Sequence, residues 1–249
     1  LNKEDMNILF RMEKGIAVCL FSSFFVLACV SHIPGEKAAV SNGDIPLKFT
    51  ADIHEATYTR VAGNGFEEND EVGVFALVGS STMKEERYAD NLRFFRTSEK
   101  VFESSEPIYY PDDEVTLRLI SYYPYQEEGV NMGESTMSVA VETDQNLSAG
   151  YFCSDFLVAS QNLQSAPKGA LHYDHKFFKL KIALVGKEGE ELQGILDADP
   201  KLSVCGFYTK AIYDFQKETY SAFSNEKSIT PAGKWEIQGD RLSGKEVIL

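Results

Sequence analysis

His172, Asp174 and His175 carry the residue types that come closest to a metal site in this 249-residue sequence. Imidazole nitrogens and carboxylate oxygens are common ligands of zinc. The segment that holds them is predicted to be a strand, and residues three positions apart on a strand point to opposite faces. The sequence has no Cys-x-x-Cys pair and no second histidine cluster to complete a ligand set. We therefore predict half-buried histidines at the start of a strand and no metal site.

Two acidic groups, residues 112–114 and the pair Asp197 and Asp199, carry the hard oxygen ligands that calcium prefers. Neither group has the spacing of an EF-hand loop, so both are predicted to be solvated turns. The segment Gly63-Asn64-Gly65 lacks the further glycine and the following helix of a phosphate-binding loop, so it is also predicted to be a turn. The sequence therefore predicts no cofactor.

A catalytic triad can draw its members from distant parts of a chain, so spacing alone does not exclude one. The sequence nevertheless has no Gly-x-Ser-x-Gly elbow for a nucleophile. Two of the four histidines, His32 and His54, precede or border the first predicted strand, which leaves two for a catalytic site. We predict no catalytic residue and no enzymatic activity.

Cys29 follows an apolar run that begins after Arg11 and Lys14, which is the layout of a secretory signal peptide. The run is shorter than the roughly 20 apolar residues of a membrane-spanning helix. Its end, Val26-Leu27-Ala28-Cys29, resembles the processing box of bacterial lipoproteins. We predict cleavage before Cys29 and lipidation of its thiol, with an ordinary signal peptide or an uncleaved anchor as the alternatives.

The composition is that of a folded, acidic protein. The hydrophobic fraction of 43% and the aromatic fraction of 12% are typical of globular chains. The net charge of -14 opposes binding to nucleic acid and to anionic lipid, so no nucleic-acid partner is predicted. Beyond the signal region only Cys153 and Cys205 remain, and the sequence leaves open whether they pair.

Apolar residues first alternate with mostly polar ones at Ile45, Leu47, Phe49, Ala51 and Ile53. A period of two predicts a strand with one buried face. Similar short runs recur between turn-like clusters, at residues 72–77, 115–120, 137–141, 178–184, 202–208 and 235–237. Residues 83–95 come nearest to helical spacing, and at most one short helix is expected there. The many short strands predict an all-β protein of the sandwich type.

The chain divides at a linker over residues 161–169, which contains Ser, Pro and Gly and few apolar side chains. The predicted parts are a signal peptide at 1–28, a flexible tether at 29–44, an N-terminal β-sandwich domain at 45–165 and a C-terminal β-sandwich domain at 166–249. The second domain is small for a sandwich and stops within the strand-like segment Glu246–Leu249. We therefore expect that domain to be incomplete.

The tyrosines at positions 109–110 and in the segment Tyr122-Tyr123-Pro124-Tyr125 suit two different roles. Exposed tyrosines stack on sugar rings and on partner proteins, which would make this a surface lipoprotein that binds glycan or host protein and does not polymerise. Tyrosines in strand-rich chains mostly pack across strands instead. The packing role is favoured, and one exposed tyrosine patch would revive the binding role.

Several further segments carry a family resemblance when they are taken in order. They are Thr59-Arg60, Phe66, Asp70–Phe75, Tyr110–Asp113, Tyr122–Tyr125, Asp155–Ala159, Leu171–Phe177 and Lys179–Ile182. Together they resemble the fimbrillin family of Bacteroidales lipoproteins, the Mfa-like precursors of protease-assembled pili. The likeness covers nearly the whole exported chain.

The resemblance implies two tandem β-sandwich domains of the transthyretin-like, Greek-key kind. It implies a structural subunit of a pilus, or fimbrium, that serves cell adhesion. Such a subunit is lipid-anchored in the cell outer membrane as a precursor and then joins a fimbrium at the cell surface. The implied partners are other pilin subunits, in a homo- or hetero-polymer, and a trypsin-like maturation protease. Fimbrillins usually continue past the position of Leu249 into further strands, which adds to the expectation of an incomplete second domain.

The resemblance also implies cleavage after an arginine near the first strand, and Arg60 lies between that strand and the next. Before cleavage, the inward row Leu47, Phe49, Ala51 and Ile53 would plug a groove. After cleavage, a strand from a neighbouring subunit would fill the groove by donor-strand exchange. An ordinary solvated turn residue is the alternative role for Arg60.

Overall fold

A computed structural model describes residues 45–54, 65–111, 115–163 and 169–249 of the protein. The predicted signal peptide, the tether with Cys29, and Arg60 lie outside these residues. The described residues form strands β1 (Phe49–Ile53), β2 (Glu71–Val78), β3 (Ala89–Arg96), β4 (Val101–Ser104), β5 (Leu117–Tyr123), β6 (Thr136–Ala140), β7 (Leu157–Leu163), β8 (Gly169–His175), β9 (Lys179–Val185), β10 (Tyr208–Asp214), β11 (Thr219–Glu226), β12 (Glu236–Gln238) and β13 (Arg241–Ile248). They also form two short helices, α1 (Ser148–Cys153) and α2 (Leu192–Asp197).

Seven strands close into a barrel in the order β1-β4-β3-β2-β5-β7-β8. The neighbouring strands run antiparallel, except that β1 and β8 run parallel. Apolar side chains from alternate positions of these strands meet in the first hydrophobic core, which includes Phe49, Val74, Phe94, Leu119 and Tyr173. The inside of the barrel is therefore a packed core.

β2 is buried on both faces, which explains why its sequence is an almost unbroken apolar run. Val74 contributes to the core inside the barrel. Phe75 and Leu77 contribute to a second core on the outside of the barrel. There they meet Met137 of β6 and Tyr213 of β10, so the outer face of β2 supports the remaining part of the chain.

The remaining strands form two smaller sheets, with the orders β11-β10-β6 and β12-β13-β9. β6 pairs antiparallel with β10, with Met137 opposite Tyr213. β13 pairs antiparallel with β9, with Val247 opposite Leu180. A third core lies near the end of β13 and includes Val247 and Ile229.

The all-β class predicted from the sequence is confirmed. The short helix expected within residues 83–95 is wrong, because β3 occupies Ala89–Arg96 and pairs with both β2 and β4. This pairing places Phe94 inside the barrel, and tertiary contacts of that kind override weak helical spacing. The helices that do form are short, and none in the described part of the chain is long and apolar enough to cross a membrane.

The two tandem sandwich domains, with a boundary between residues 165 and 166, stay a prediction. Strand pairing crosses that boundary in both directions. β8 follows the boundary and pairs with β1 and β7 in the barrel. β6 precedes the boundary and pairs with β10. Any division into domains therefore has to accommodate contacts between segments that are distant in the sequence.

Gly73→Ala is expected to lower the free energy of unfolding by about 1–3 kcal/mol, the usual cost of overpacking a core. A Cβ at position 73 would overlap the ring of Tyr122. That ring is buried and cannot withdraw freely, because its Oη donates a hydrogen bond to Oδ1 of Asn91 at 2.7 Å. The measurement is the unfolding free energy from urea denaturation.

Gly194→Ala is the matched control for this substitution. Gly194 is exposed on α2, and a Cβ there would have no atom within 4 Å. Alanine should be neutral or should stabilise by at most about 1 kcal/mol through its helix propensity. Equal destabilisation by both variants would contradict the packing argument.

Candidate functional site

β1 closes the barrel by filling the space between β4 and β8. It runs antiparallel to β4, where Phe49 lies opposite Phe102. It runs parallel to β8, with a register from Phe49 opposite Gly169 to Ile53 opposite Tyr173. In the described part of the chain, β4 and β8 do not pair with each other. β1 is therefore the strand that joins these two edges.

Backbone hydrogen bonds hold the segment on both sides of β1. The amide of Leu47 donates to the carbonyl oxygen of Ile108 at 2.7 Å. At the other end, the amide of His54 donates to the carbonyl oxygen of Tyr173 at 2.8 Å. The described segment 45–54 is thus seated along its length by contacts that do not depend on side-chain identity.

The residues predicted to plug a groove lie on the inner face of this segment. Leu47 and Phe49 are 2% and 1% exposed. Ala51 and Ile53 are partly buried and pack against the same core. The alternation predicted for the strand is present, and the plugging role of these side chains stays a prediction.

Phe49 is at the centre of the aromatic contacts between β1 and the rest of the barrel. Its ring centroid lies 5.3 Å from that of Phe94 and 5.4 Å from that of Phe102, with the Phe102 ring stacked at 10°. Phe66 packs edge-on against Phe102 at 5.1 Å and against Tyr173 at 4.9 Å. Removal of β1 would therefore leave a groove floored by aromatic rings.

Tyr173 contributes a polar atom, its hydroxyl oxygen, to the floor of this groove, and that hydroxyl is hydrogen-bonded. Its Oη donates to Oγ of Ser121 at 2.6 Å, since the Ser121 hydroxyl itself donates to the carbonyl oxygen of Gly73 at 2.9 Å. Burial raises the pKa of Tyr173, so the phenol stays neutral. The floor therefore presents an apolar surface with no charge.

The outer face of the segment carries ion pairs to its neighbours. Nζ of Lys48 lies 2.6 Å from Oε2 of Glu103, and both side chains are partly exposed. A pair of this kind contributes at most about 1 kcal/mol. The pair therefore adds little to the stability of the fold, and its main effect is to favour the register in which Lys48 lies beside Glu103.

Two histidine–aspartate pairs continue this outer face between β1 and β8. Nδ1 of His172 lies 2.6 Å from Oδ1 of Asp52. Nδ1 of His54 lies 2.9 Å from Oδ1 of Asp174. The two imidazole rings stack with centroids 5.3 Å apart and planes 5° apart. The seat of β1 thus has an apolar inner side and a charged, ring-stacked outer side.

Comparison with known proteins identifies the family. The fimbrillin-like family model matches residues 59–249, which is more than half of the chain. The chain belongs to the fimbrillin-like family. This confirms the resemblance stated from the sequence, and the family is one of fimbrial proteins rather than of enzymes. The match begins next to Arg60, after the segment that carries β1.

Three proteins from Bacteroides illustrate what this fimbrillin-like chain resembles. A candidate fimbrium subunit of Bacteroides uniformis, Fim1C, is 24% identical over 212 residues, which are 82% of this chain and 65% of that relative. A candidate cell adhesion protein of Bacteroides ovatus has a solved structure with a TM-score of 0.58 and 14% identity, covering 82% of this chain and 77% of that one. A second, from Bacteroides uniformis, gives 0.55 and 20%, covering 82% and 74%. These likenesses show the shared fold.

The other histidines and acidic groups selected in the sequence are separated in the fold. His175 does not join His172, and its Nδ1 lies 2.7 Å from Oδ1 of Asp155 instead. Asp199 pairs with the ammonium of Lys201, which lowers the pKa of the Asp199 carboxyl. Residues 112–114 lie outside the described residues.

The tyrosines weighed for a binding surface do not form one exposed patch. Tyr110 and Tyr122 are buried, and Tyr123 and Tyr125 are partly buried. Tyr109 is the exposed one of these five, at 39%. Burial raises the pKa of Tyr122 to about 12, which agrees with a packing role.

Sequence reasoning missed Arg87, the most completely buried charged side chain near the barrel. Its guanidinium donates to the carbonyl oxygens of Met83 and Val130, both at 2.8 Å. It also donates to those of Asn131 and Glu134, both at 2.9 Å. A single arginine in a polar stretch carries no sequence pattern that would indicate this role.

The two cysteines beyond the signal region, Cys153 and Cys205, are free and exposed in the structure. The sequence had left their pairing open. They contribute no covalent link to the seat of β1.

Proposed function

We propose that this protein is a structural subunit of a fimbrium that assembles by donor-strand exchange. In this proposal the chain is exported as a lipoprotein precursor and lipidated at Cys29 in the cell outer membrane. A trypsin-like protease then cuts after Arg60, and the chain joins other pilin subunits in a surface fimbrium that serves adhesion. Membership of the fimbrillin-like family supports the subunit role.

The observation that carries the proposal is the position of β1 in the barrel. β1 is the strand nearest the start of the described chain, and residues 54–70, which include Arg60, connect it to β2. A cut after Arg60 would leave β1 held by non-covalent contacts alone. These contacts are two strand edges, one row of inward side chains and the polar pairs of the outer face.

A replacement strand has to satisfy the same requirements as β1. Its backbone must pair with the edges of β4 and β8, which would otherwise expose unpaired N–H and C=O groups. Its alternate side chains must be apolar, and one large side chain must take the place of Phe49 against Phe94 and Phe102. Such a strand would bind durably, because it restores both the hydrogen bonds and the buried apolar area.

The tandem-sandwich organisation expected for the family is part of this proposal. Under it, β1 to β7 belong to the domain at residues 45–165 and β8 to β13 to the domain at 166–249, with β8 completing the barrel of the first domain. The chain spans 65% of the length of the Fim1C relative. The role of a complete fimbrium subunit is therefore part of this proposal as well.

Cleavage after Arg60 is expected to convert the purified full chain from a monomer into oligomers. Digestion with a trypsin-like protease should give one preferred cut, which intact mass identifies, and size-exclusion chromatography should then show larger species. Arg60→Gln should abolish both the cut and the oligomers, because the protease recognises a cationic side chain there.

Arg93→Gln is the matched control for this experiment. Arg93 lies within β3, where hydrogen bonding protects the backbone, so this variant should be cut and should assemble like the wild type. Resistance of Arg60 in the wild type, or a cut product that stays monomeric, would contradict the proposal. Either result would favour a surface lipoprotein that binds glycan or host protein without polymerising.

A further inference from the structure

The outer face of β1 and β8 brings together groups that were far apart in the sequence. Asp52 and His172 are register partners on the parallel pair, although they are 120 residues apart. His54 follows on β1, with its ring stacked on that of His172. All three side chains are exposed. This juxtaposition exists only because β1 lies parallel to β8.

We propose that Asp52, His54 and His172 form a binding site for a divalent transition-metal ion such as Zn²⁺ or Ni²⁺. One ligand atom from each residue lies within 4.8 Å of those from the other two. Metal–ligand bonds of about 2.0–2.1 Å place neighbouring ligand atoms roughly 3.3 Å apart around a tetrahedral ion. Rotation of exposed side chains covers the difference of about 1.5 Å at most, without movement of the backbone.

The ligand types indicate which ions the site would select. Two imidazoles and one carboxylate suit zinc, nickel and copper better than magnesium or calcium, which prefer all-oxygen sites. Three protein ligands leave a further position for water or for a group from another molecule. The net charge of -14 also favours a cation over an anion at this surface.

A second layer of contacts is already in place around this cluster. Oδ1 of Asp174 lies 2.9 Å from Nδ1 of His54, so the carboxylate can orient that ring with its other nitrogen free for the ion. Lys176 is the nearby cation, and it is engaged by Glu218 at 3.2 Å and by Asp174 at 3.9 Å. The positive charge of the ammonium is thus compensated by Glu218 and by Asp174, whose other oxygen lies near His54.

The ligands come from both strands, which gives the ion a mechanical consequence. Asp52 and His54 belong to the β1 segment, and His172 belongs to β8. A bound ion would therefore clamp β1 to the barrel, and it would lose two of its three ligands if β1 departed. This consequence rests on the proposed function: the metal would retain the first strand after cleavage and so delay exchange.

Isothermal titration of the full chain with Zn²⁺, and separately with Ni²⁺, tests the site. We expect one ion per chain. His172→Asn and His54→Asn should each weaken binding by more than the roughly 10- to 100-fold that loss of a second-layer partner causes. His175→Asn is the matched control, since His175 pairs with Asp155 outside the cluster, and it should bind like the wild type. Absence of binding would overturn the proposal. Equal binding by His172→Asn and the wild type would also overturn it, because the ion would then bind elsewhere, for example at His32.

The clamp is tested separately from the site. After digestion, Zn²⁺ should keep the N-terminal fragment with the barrel in size-exclusion chromatography, and a chelator should release it. The His172→Asn chain should release the fragment with or without Zn²⁺. Release from the wild type despite bound Zn²⁺ would contradict the clamp. A chain that is not cut at Arg60 would contradict the proposed function and would leave the titration result intact.

Discussion

Phe49→Ala is expected to lower the free energy of unfolding by about 3–5 kcal/mol, the usual cost of removing a large aromatic side chain from a packed core. Phe49 is 1% exposed and contacts the rings of Phe94 and Phe102. Those rings belong to β3 and β4, so relaxation of one element cannot fill the cavity. Chemical denaturation of the full chain measures the loss.

Phe178→Ala provides the matched control, because Phe178 is 67% exposed. Its truncation should change stability by no more than about 0.5 kcal/mol, as for other surface positions. If the two variants lost equal stability, β1 would not be a structural part of the folded barrel. In that case, the proposal that its departure opens an apolar groove would fail as well.

Arg87→Met should cost about 2–5 kcal/mol of unfolding free energy, because the carbonyl oxygens of Met83 and Val130 would lose a buried charged donor. Methionine keeps much of the volume of the side chain, so the loss reports hydrogen bonds more than packing. The guanidinium carbon also lies 5.1 Å from the centroid of the Phe75 ring, and that cation–π contact would be lost too.

Arg93→Met is the control that separates burial from charge. The side chain of Arg93 is 57% exposed and pairs with Glu71 at the surface. Its replacement should cost no more than about 1 kcal/mol, as for exposed ion pairs in general. A similar loss for both variants would show that the buried carbonyl oxygens near Arg87 find other donors or water.

The local patterns of the sequence were sufficient for the strands that have one buried face or a long apolar run. Alternation at Leu47, Phe49, Ala51 and Ile53 predicted the inward face of β1, because a strand repeats every two residues. The run over residues 72–77 predicted β2 for a different reason, since both of its faces are buried.

The local patterns failed where distant pairing decided the conformation. Residues 83–95 showed weak helical spacing, and β3 formed there because β2 and β4 flank it on both sides. The run over residues 202–208 was also misplaced. Val204 makes an isolated bridge to Ile229, and β10 begins at Tyr208, where β6 and β11 supply its partners.

What the sequence determined by itself was the all-β class, the inward face of β1 and the family, because these depend on periodicity and on short motifs that are read along the chain. Only the tertiary structure decided that β1 closes a barrel, that His54 and Asp52 meet His172, and that Arg87 binds buried carbonyl oxygens. These arrangements join residues that are widely separated in the sequence, and spacing along a chain carries no information about which strand edges will pair. The parallel contact of β1 with β8 is the decisive case, because the proposed groove and the proposed metal site both depend on it.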